Sequence, residues 1–309
     1  MLKQSSLKDF GLRDMPPQEG RIALVTGANH GIGFETTMGL AKAGLKVVMA
    51  CRNLDKAEKA KTSILEKLPN AQLELLKLDL SDFDNVRQAA NEVKSKYQHL
   101  DILINNAGIL LYAAATNADD IELQLATNHL GHFLLTGLLL EKIPDQSASR
   151  IVSMSSVAHK RAQIYFEDLN CEQRRDALAA YGQSKLACLM FGDELDRRLE
   201  SAGRSLTSLS VHPGGSDSGL FEEMPKAQYY TLKALAPLIT HTNAAAARPS
   251  LFAALSPRAQ GGDYYGPTGF QELSGKLGYA RRSPYAKRED IGKRLWAISE
   301  EMTGFTYEF

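Results

Sequence analysis

Residues 21–33, RIALVT followed without a linker by GANHGIG, constrain this chain more than any other stretch. A short apolar run flanked by glycines suits a strand buried on both faces. The glycine-rich turn comes next, and 34–43 then carries helical spacing. Strand, glycine turn and helix N-terminus together aim backbone amides and a helix dipole at one point, which favours a phosphate. Because a glycine loop alone also fits a tight structural turn, the flanking segments decide what it means.

The rest of the chain repeats the alternation. Strands are expected at 45–50, 72–80, 101–105, Arg150–Met154 and 205–211. Helices are expected at 54–68 (ended by Pro69), 81–97 (with Ser81 as N-cap), 116–141 and 177–202. Strands alternating with helices of ten or more residues predict an α/β fold, a doubly wound parallel sheet of about seven strands with helices on both faces. Residues 1–19, polar and carrying Pro16 and Pro17, read as a flexible arm, and 20–309 as one domain. After about residue 215 the alternation lapses into pieces such as a helix at 244–255 and a late strand at 262–265, and 216–309 is expected to cover a substrate.

Composition narrows the function classes. Lys plus Arg and Asp plus Glu both number 36, so no global field recruits nucleic acid or an anionic membrane. The three cysteines, Cys51, Cys171 and Cys188, form no CxxC and have no histidine at ligand spacing, which suggests neither a disulfide framework nor a metal site and suits a reducing compartment. The first twenty residues lack an apolar signal core, and the most apolar run, 133–140, is too short to cross a bilayer. A soluble, cytoplasmic protein is expected.

Two local features point to redox chemistry. The second strand ends in Cys51 Arg52 Asn53, with no acid until Asp55. A carboxylate there would bind the ribose hydroxyls of NAD, whereas Arg52 offers a cationic fork for a 2′-phosphate, so NADP(H) is expected over NAD(H). On the 177–202 helix, Tyr181 and Lys185 are four apart and share a face, so an ammonium can favour ionisation of a phenol that otherwise titrates near about 10. Such a tyrosine could act as an acid or base near neutral pH.

These segments resemble the short-chain dehydrogenase/reductase family over roughly residues 20–275. The matching pieces stand in the family's order: TGANHGIG at 26–33, DL at 79–80, NNAG at 105–108, Asn128, SS at 155–156, YGQSK at 181–185 and HPGG at 212–215. ACRN, TNHLGHFLLT, SSVAH, YYGPTGFQE and LWAISEEMTG make the chain similar to the retinol dehydrogenase-like branch and its bacterial relatives. The microsomal retinoid enzymes begin with a hydrophobic anchor that this N-terminus lacks, so membrane retinoid metabolism is not carried over.

The resemblance implies a Rossmann-type oxidoreductase that interconverts a carbonyl and an alcohol by hydride transfer. Tyr181 would exchange the proton, Lys185 would lower its pKa and hold the nicotinamide ribose, Ser156 would stabilise the alkoxide, and Asn128 would hold a relay water. Ser155 competes with Ser156 for that role. Gly27, Gly31 and Gly33 would form the phosphate turn, lined by Asn29, His30 and Ile32, with Arg52 and Asn53 at the adenosine ribose. Asp79 and Leu80 would flank the adenine, Asn106, Ala107 and Gly108 the ribose, and Pro213, Gly214 and Ser218 the nicotinamide end. An insertion near 157–178 would border the pocket, and Tyr112, Phe166, Phe221, Tyr229, Tyr230 and Phe270 could line it for a hydrophobic substrate. Relatives pair through the helices bearing Asn128 and Tyr181, so a homodimer or homotetramer is implied. The alternative is a Rossmann sensor or scaffold that binds NADP(H) without chemistry, a class that typically lacks the tyrosine or the lysine.

Overall fold

A computed structural model describes residues 7, 18–173, 176–216 and 241–309 of the chain. Eight strands form one sheet in the order β3-β2-β1-β4-β5-β6-β7-β8. They are β1 (Ile22–Thr26), β2 (Lys46–Cys51), β3 (Leu73–Lys77), β4 (Ile102–Asn105), β5 (Arg150–Met154), β6 (Thr207–Val211), β7 (Tyr264–Pro267) and β8 (Leu277–Tyr279). Neighbours run parallel from β3 through to β7, and only β8 is antiparallel. The doubly wound sheet is therefore as expected, with one strand more. The three residues of β8 have too short a pattern to betray a strand, and their pairing with β7 is a tertiary event.

The winding leaves β1 outward through β2 to β3, then crosses to β4 on the other side. That reversal opens a crevice past the carboxyl ends of β1 and β4, the place where such sheets bind ligands. Successive strand residues face opposite cores. Leu24 and Ile151 pack on one side with α3 (Phe83–Lys96), α5 (Gly131–Leu139), α6 (Ala177–Ser201) and α9 (Glu289–Thr303). Val25 and Val152 pack on the other with α1 (Gly31–Lys42), α2 (Leu54–Lys67) and α8 (Arg248–Leu255), which follows the short α7 (Asn243–Ala246).

Helix starts follow side-chain capping. Asn53 accepts from the Lys56 amide at 2.8 Å to begin α2. The cap of α3 is Asp82, which accepts from Asn85 N at 2.9 Å, rather than Ser81, whose hydroxyl donates to Asp79 Oδ1 at 2.6 Å. The helix expected over 116–141 begins only at Leu123, because Thr116 and Glu122 form an antiparallel bridge and the Glu122 carboxylate caps the Gln124 and Leu125 amides. From there α4 (Leu123–Leu125), a π-turn (Ala126–Leu130) and α5 run on without a break. A π-turn inserts one residue into a helix, often at a functional site. Here it carries Asn128.

Near the N-terminus, Leu7 is 1% exposed within the core beside α1, and Gln18 N donates to Ala43 O. At the other end, α9 and residues 305–309 lie against α5 and α6. Trp296 and Tyr307 meet the Phe133 ring at 5.0 and 4.9 Å, and the Tyr307 hydroxyl donates to Phe133 O at 2.6 Å. The two helices implied for pairing thus give part of their surface to the chain's own C-terminal segment.

Candidate active site

The crevice between β1 and β4 is built around Thr26. Its hydroxyl oxygen accepts from the Asn106 and Ala107 amides, each at 2.9 Å, which binds the turn after β4 to the turn after β1. Asn106 Nδ2 adds a bond to Thr26 O at 2.8 Å. Gly33 sits so close that a Cβ there would stand 2.1 Å from Gly27 O and 2.6 Å from Asn106 Nδ2, which only glycine avoids. Ahead of α1, His30 occupies the N-cap without a side-chain cap, and the first turn holds no acid. Uncapped leading amides at a helix N-terminus, with no carboxylate in the first turn, fit the pyrophosphate of a dinucleotide.

Past β2, Arg52 is exposed, and its guanidinium has no hydrogen bond or ion pair among the described residues. That leaves a cationic fork for an anionic group. Asn53 is largely committed to capping α2. Asp79 Oδ1 accepts from the Ser81 amide and hydroxyl, Leu80 is buried, and both stand at the end of the segment after β3. Gly214 lies at φ +74° with Pro213 O receiving His241 Nε2 at 2.6 Å. Ser218, like Phe221, Tyr229 and Tyr230, falls outside the described residues.

At the carboxyl end of β5 the two serines have different partners. Ser155 is 1% exposed and its hydroxyl donates to Lys185 O at 2.8 Å, so it supports the backbone of α6. Ser156 Oγ accepts from Ala158 N at 3.2 Å, and Ser156 acts to pull the Tyr181 phenol down. With that acceptor position engaged, the Ser156 hydroxyl keeps its proton to donate. Lys185, 3% exposed, donates from Nζ to Met154 O at 3.1 Å.

Asn128 is committed to backbone. Its Nδ2 donates to Ile109 O at 3.0 Å and Ser184 Oγ at 2.9 Å, and its Oδ1 accepts from Ile109 N at 2.8 Å. Its main-chain oxygen receives His132 Nδ1 at 2.9 Å and the Cys188 thiol at 3.1 Å. Since a carbonyl can only accept, His132 carries its proton on Nδ1, and Nε2 accepts from the Thr26 hydroxyl at 2.8 Å. One buried imidazole thus ties the glycine turn to the Asn128 carbonyl.

Burial dominates the electrostatics. Tyr181 is pushed up to about 12 by desolvation, against Ser156, which pulls it down. Lys185 is lowered by its own burial, with Cys188 acting the other way. The expected depression of the phenol by Lys185 is therefore not what this environment produces, because desolvation penalises phenolate and ammonium alike. His132 is held neutral, at about 4, by the same cause.

Several residues here escape the sequence reading. Thr26 and His132 act through contacts distant in the chain. Gln183, inside the YGQSK motif, accepts from Tyr165 N at 2.9 Å and donates to Leu169 O at 3.0 Å, fastening the 157–178 segment to α6. The Tyr112 hydroxyl is buried with no hydrogen-bond partner among the described residues, and Tyr112 is among the groups that raise the Tyr181 pKa. Of the other expected pocket aromatics, Phe166 lies under the Arg294 guanidinium at 4.1 Å and Phe270 is 77% exposed. Among the described residues no group of three or more His, Cys, Asp or Glu is placed to hold a metal, and no helix is long and apolar enough to cross a membrane.

Comparison with known proteins agrees with this architecture. The family model described as short chain dehydrogenase matches residues 21–228. Retinol dehydrogenase 11 of Mus musculus is 38% identical over 294 residues, which cover 94% of this chain and 88% of that protein. Retinol dehydrogenase 13 of Homo sapiens is 36% identical over 313 residues, covering 96% and 90%. The crystal structure of an uncharacterized protein from Mycobacterium paratuberculosis superposes with a TM-score of 0.81 at 36% identity, covering 97% of this chain and 99% of that one. The fold is shared by a short chain dehydrogenase from Burkholderia cenocepacia J2315, crystallised with NADP, at a TM-score of 0.65 and 24% identity over 81% and 96% of the two chains.

Proposed function

The chain belongs to the short-chain dehydrogenase family as an NAD(P)-dependent oxidoreductase acting on CH–OH groups, and from that premise we propose that it interconverts a hydrophobic ketone or aldehyde and its alcohol with NADP(H). The observation that carries this reading lies at the carboxyl edge of β5, where Ser155 is turned away to Lys185 O at 2.8 Å and Lys185 Nζ is anchored on Met154 O at 3.1 Å, one helical turn along α6 from the buried Tyr181.

A dinucleotide held by these turns would supply the hydride that the carbonyl carbon receives. Tyr181 donates its proton to the carbonyl oxygen, and in the alcohol-to-carbonyl direction takes it back. Ser156 donates a second hydrogen bond to the same oxygen, where charge develops and water is scarce. Lys185, anchored on Met154 O, places a cation source beside the phenol, and Asn128, bonded to Ile109 and to Ser184 Oγ, holds the π-turn against the helix that carries Lys185. The amides ahead of α1 and the turns of Gly27, Gly31, Gly33, Asn106, Ala107 and Gly108 bind the pyrophosphate and ribose, and Arg52 binds the 2′-phosphate that favours NADP(H). Residues 20–309 work as one domain, the 157–178 segment and 216–309 covering the substrate. The free, buried cysteines suit a reducing cytoplasm.

Tyr181→Phe tests the reading. NADPH oxidation with a panel of aldehydes and ketones should fall by about a thousandfold while NADPH binding, followed by fluorescence, stays within about threefold. Turnover that persists in the variant would show that the proton comes from elsewhere, and tight NADPH binding with no turnover in either protein would favour a sensor.

A further inference from the structure

Glu272 belongs to none of the residues assigned above, yet its surroundings are unusual. It is 7% exposed, and it and Gln271 stand at φ +61° and +49°. Two successive non-glycine residues in the left-handed region are strained, and such strain persists where contacts hold it. Those contacts converge on one carboxylate. Oε2 receives Lys160 Nζ at 2.8 Å and faces His212 Nε2 at 3.3 Å, and Oε1 receives Arg281 N at 3.1 Å. Leu273 O, next in the chain, receives Gly215 N at 2.7 Å.

Two of these partners, Lys160 and His212, lead directly to residues of the site. Lys160 lies in the Val157–Arg161 turn, which Ser156 caps. In that turn His159 is fully buried and donates from Nδ1 to Ser156 O at 2.6 Å. His212 is also fully buried, and its Nδ1 accepts from Gly214 N at 3.2 Å, which puts its proton on Nε2, toward the carboxylate. We propose that Glu272 is a positioning residue: its carboxylate joins the turn after Ser156 to the His212–Gly215 loop and holds the serine hydroxyl in register with the nicotinamide end of the crevice. Burial pushes Glu272 upward, but the nearby His212 imidazole and the Lys160 ammonium outweigh it and hold the group at about 2, so the link stays ionised at working pH. The inference rests on the carbonyl-reduction reading for its catalytic consequence, though not for the link itself.

The test uses the full chain and Glu272→Gln, which keeps shape and removes charge. Amide exchange read by mass spectrometry should accelerate at least tenfold in both 157–162 and 212–216. NADPH oxidation with nonanal, expressed per NADPH-binding site, should lose at least tenfold in kcat with KM shifted less than threefold. Lys160→Met, a change at a half-exposed side chain, should accelerate exchange in 157–162 alone, and it decides the matter if Glu272→Gln does not fold. Exchange that changes only in 268–281, or in neither segment, overturns the proposal. Tyr181→Phe assayed beside it separates the two ideas: turnover surviving there removes the carbonyl-reduction reading, while the exchange result still judges the link.

Discussion

Gly108→Ala should separate activity from stability more cleanly than any change at the catalytic side chains themselves. A Cβ at Gly108 would stand 2.8 Å from Lys185 Nζ and 3.3 Å from Asn128 Oδ1. Ordinary contact needs about 3.5 Å or more, so something must move by roughly 0.7–1 Å. Asn128 is pinned by three hydrogen bonds, two of them to Ile109, and Lys185 is buried along its length, so the ammonium gives way and leaves Met154 O. Misplacing a catalytic group by about 1 Å costs on the order of a hundredfold, equivalent to about 2.7 kcal/mol of barrier. Folding responds differently. Gly108 is outside the left-handed region, so alanine fits its backbone and restricts the unfolded chain, a gain of about 0.4–1 kcal/mol that offsets the local crowding. The assay is NADPH oxidation with nonanal, read as kcat, together with NADPH binding and thermal unfolding. A drop of ten- to a hundredfold in kcat with Tm within a few degrees is expected. The effect should largely vanish when Lys185→Met is already present, because the two changes act on one group. A Gly108→Ala protein within threefold of the parent in kcat would refute the reasoning, as would full additivity in the double variant.

Other outcomes follow from named contacts. Arg52→Asp should reverse cofactor preference toward NADH in paired KM measurements, and an unchanged preference would place the 2′-phosphate elsewhere. Because burial holds the Tyr181 phenol up at about 12, the proton donor stays loaded throughout neutral pH. The kcat/KM for carbonyl reduction should therefore stay flat from about pH 6 to 9 and decline only as the pH climbs toward the phenol's own value, and a midpoint near 7 would contradict this. Tyr307→Ala removes a ring packed on Phe133 and Trp296 at 4.9 and 4.6 Å and a hydrogen bond to Phe133 O. It should cost about 3–5 kcal/mol in urea unfolding, and a loss below about 1 would mean that the C-terminal tail contributes little to the core.

What can be read from the sequence is whatever repeats over a few residues. RIALVT, the glycine turn and the helix after it are a local pattern, and the parallel, doubly wound sheet follows from the alternation that surrounds them. Ser155 and Ser156 are the same residue type side by side, so only the partners of each hydroxyl, Lys185 O for one and Ala158 N for the other, separate them. The π-turn under Asn128 leaves the apolar periodicity of its helix almost intact, so the sequence reads there as plain helix, begun at Thr116 rather than Leu123. Thr26 and His132 are 106 residues apart in sequence, and nothing in either neighbourhood announces their hydrogen bond.

The Tyr181–Lys185 pair shows why spacing has a limit as an argument. Four residues on a helix correctly put the phenol and the ammonium on one buried face, but a pairwise rule then credits the cation with lowering the phenol. Burial is collective: the walls that bring Tyr181 to Ser156 also strip water from both groups, so the phenol rises and the ammonium falls together. The pair is thereby set as a neutral proton donor beside a weakened cation. Spacing therefore says which groups share a face, and the walls around that face decide which of them carries the proton.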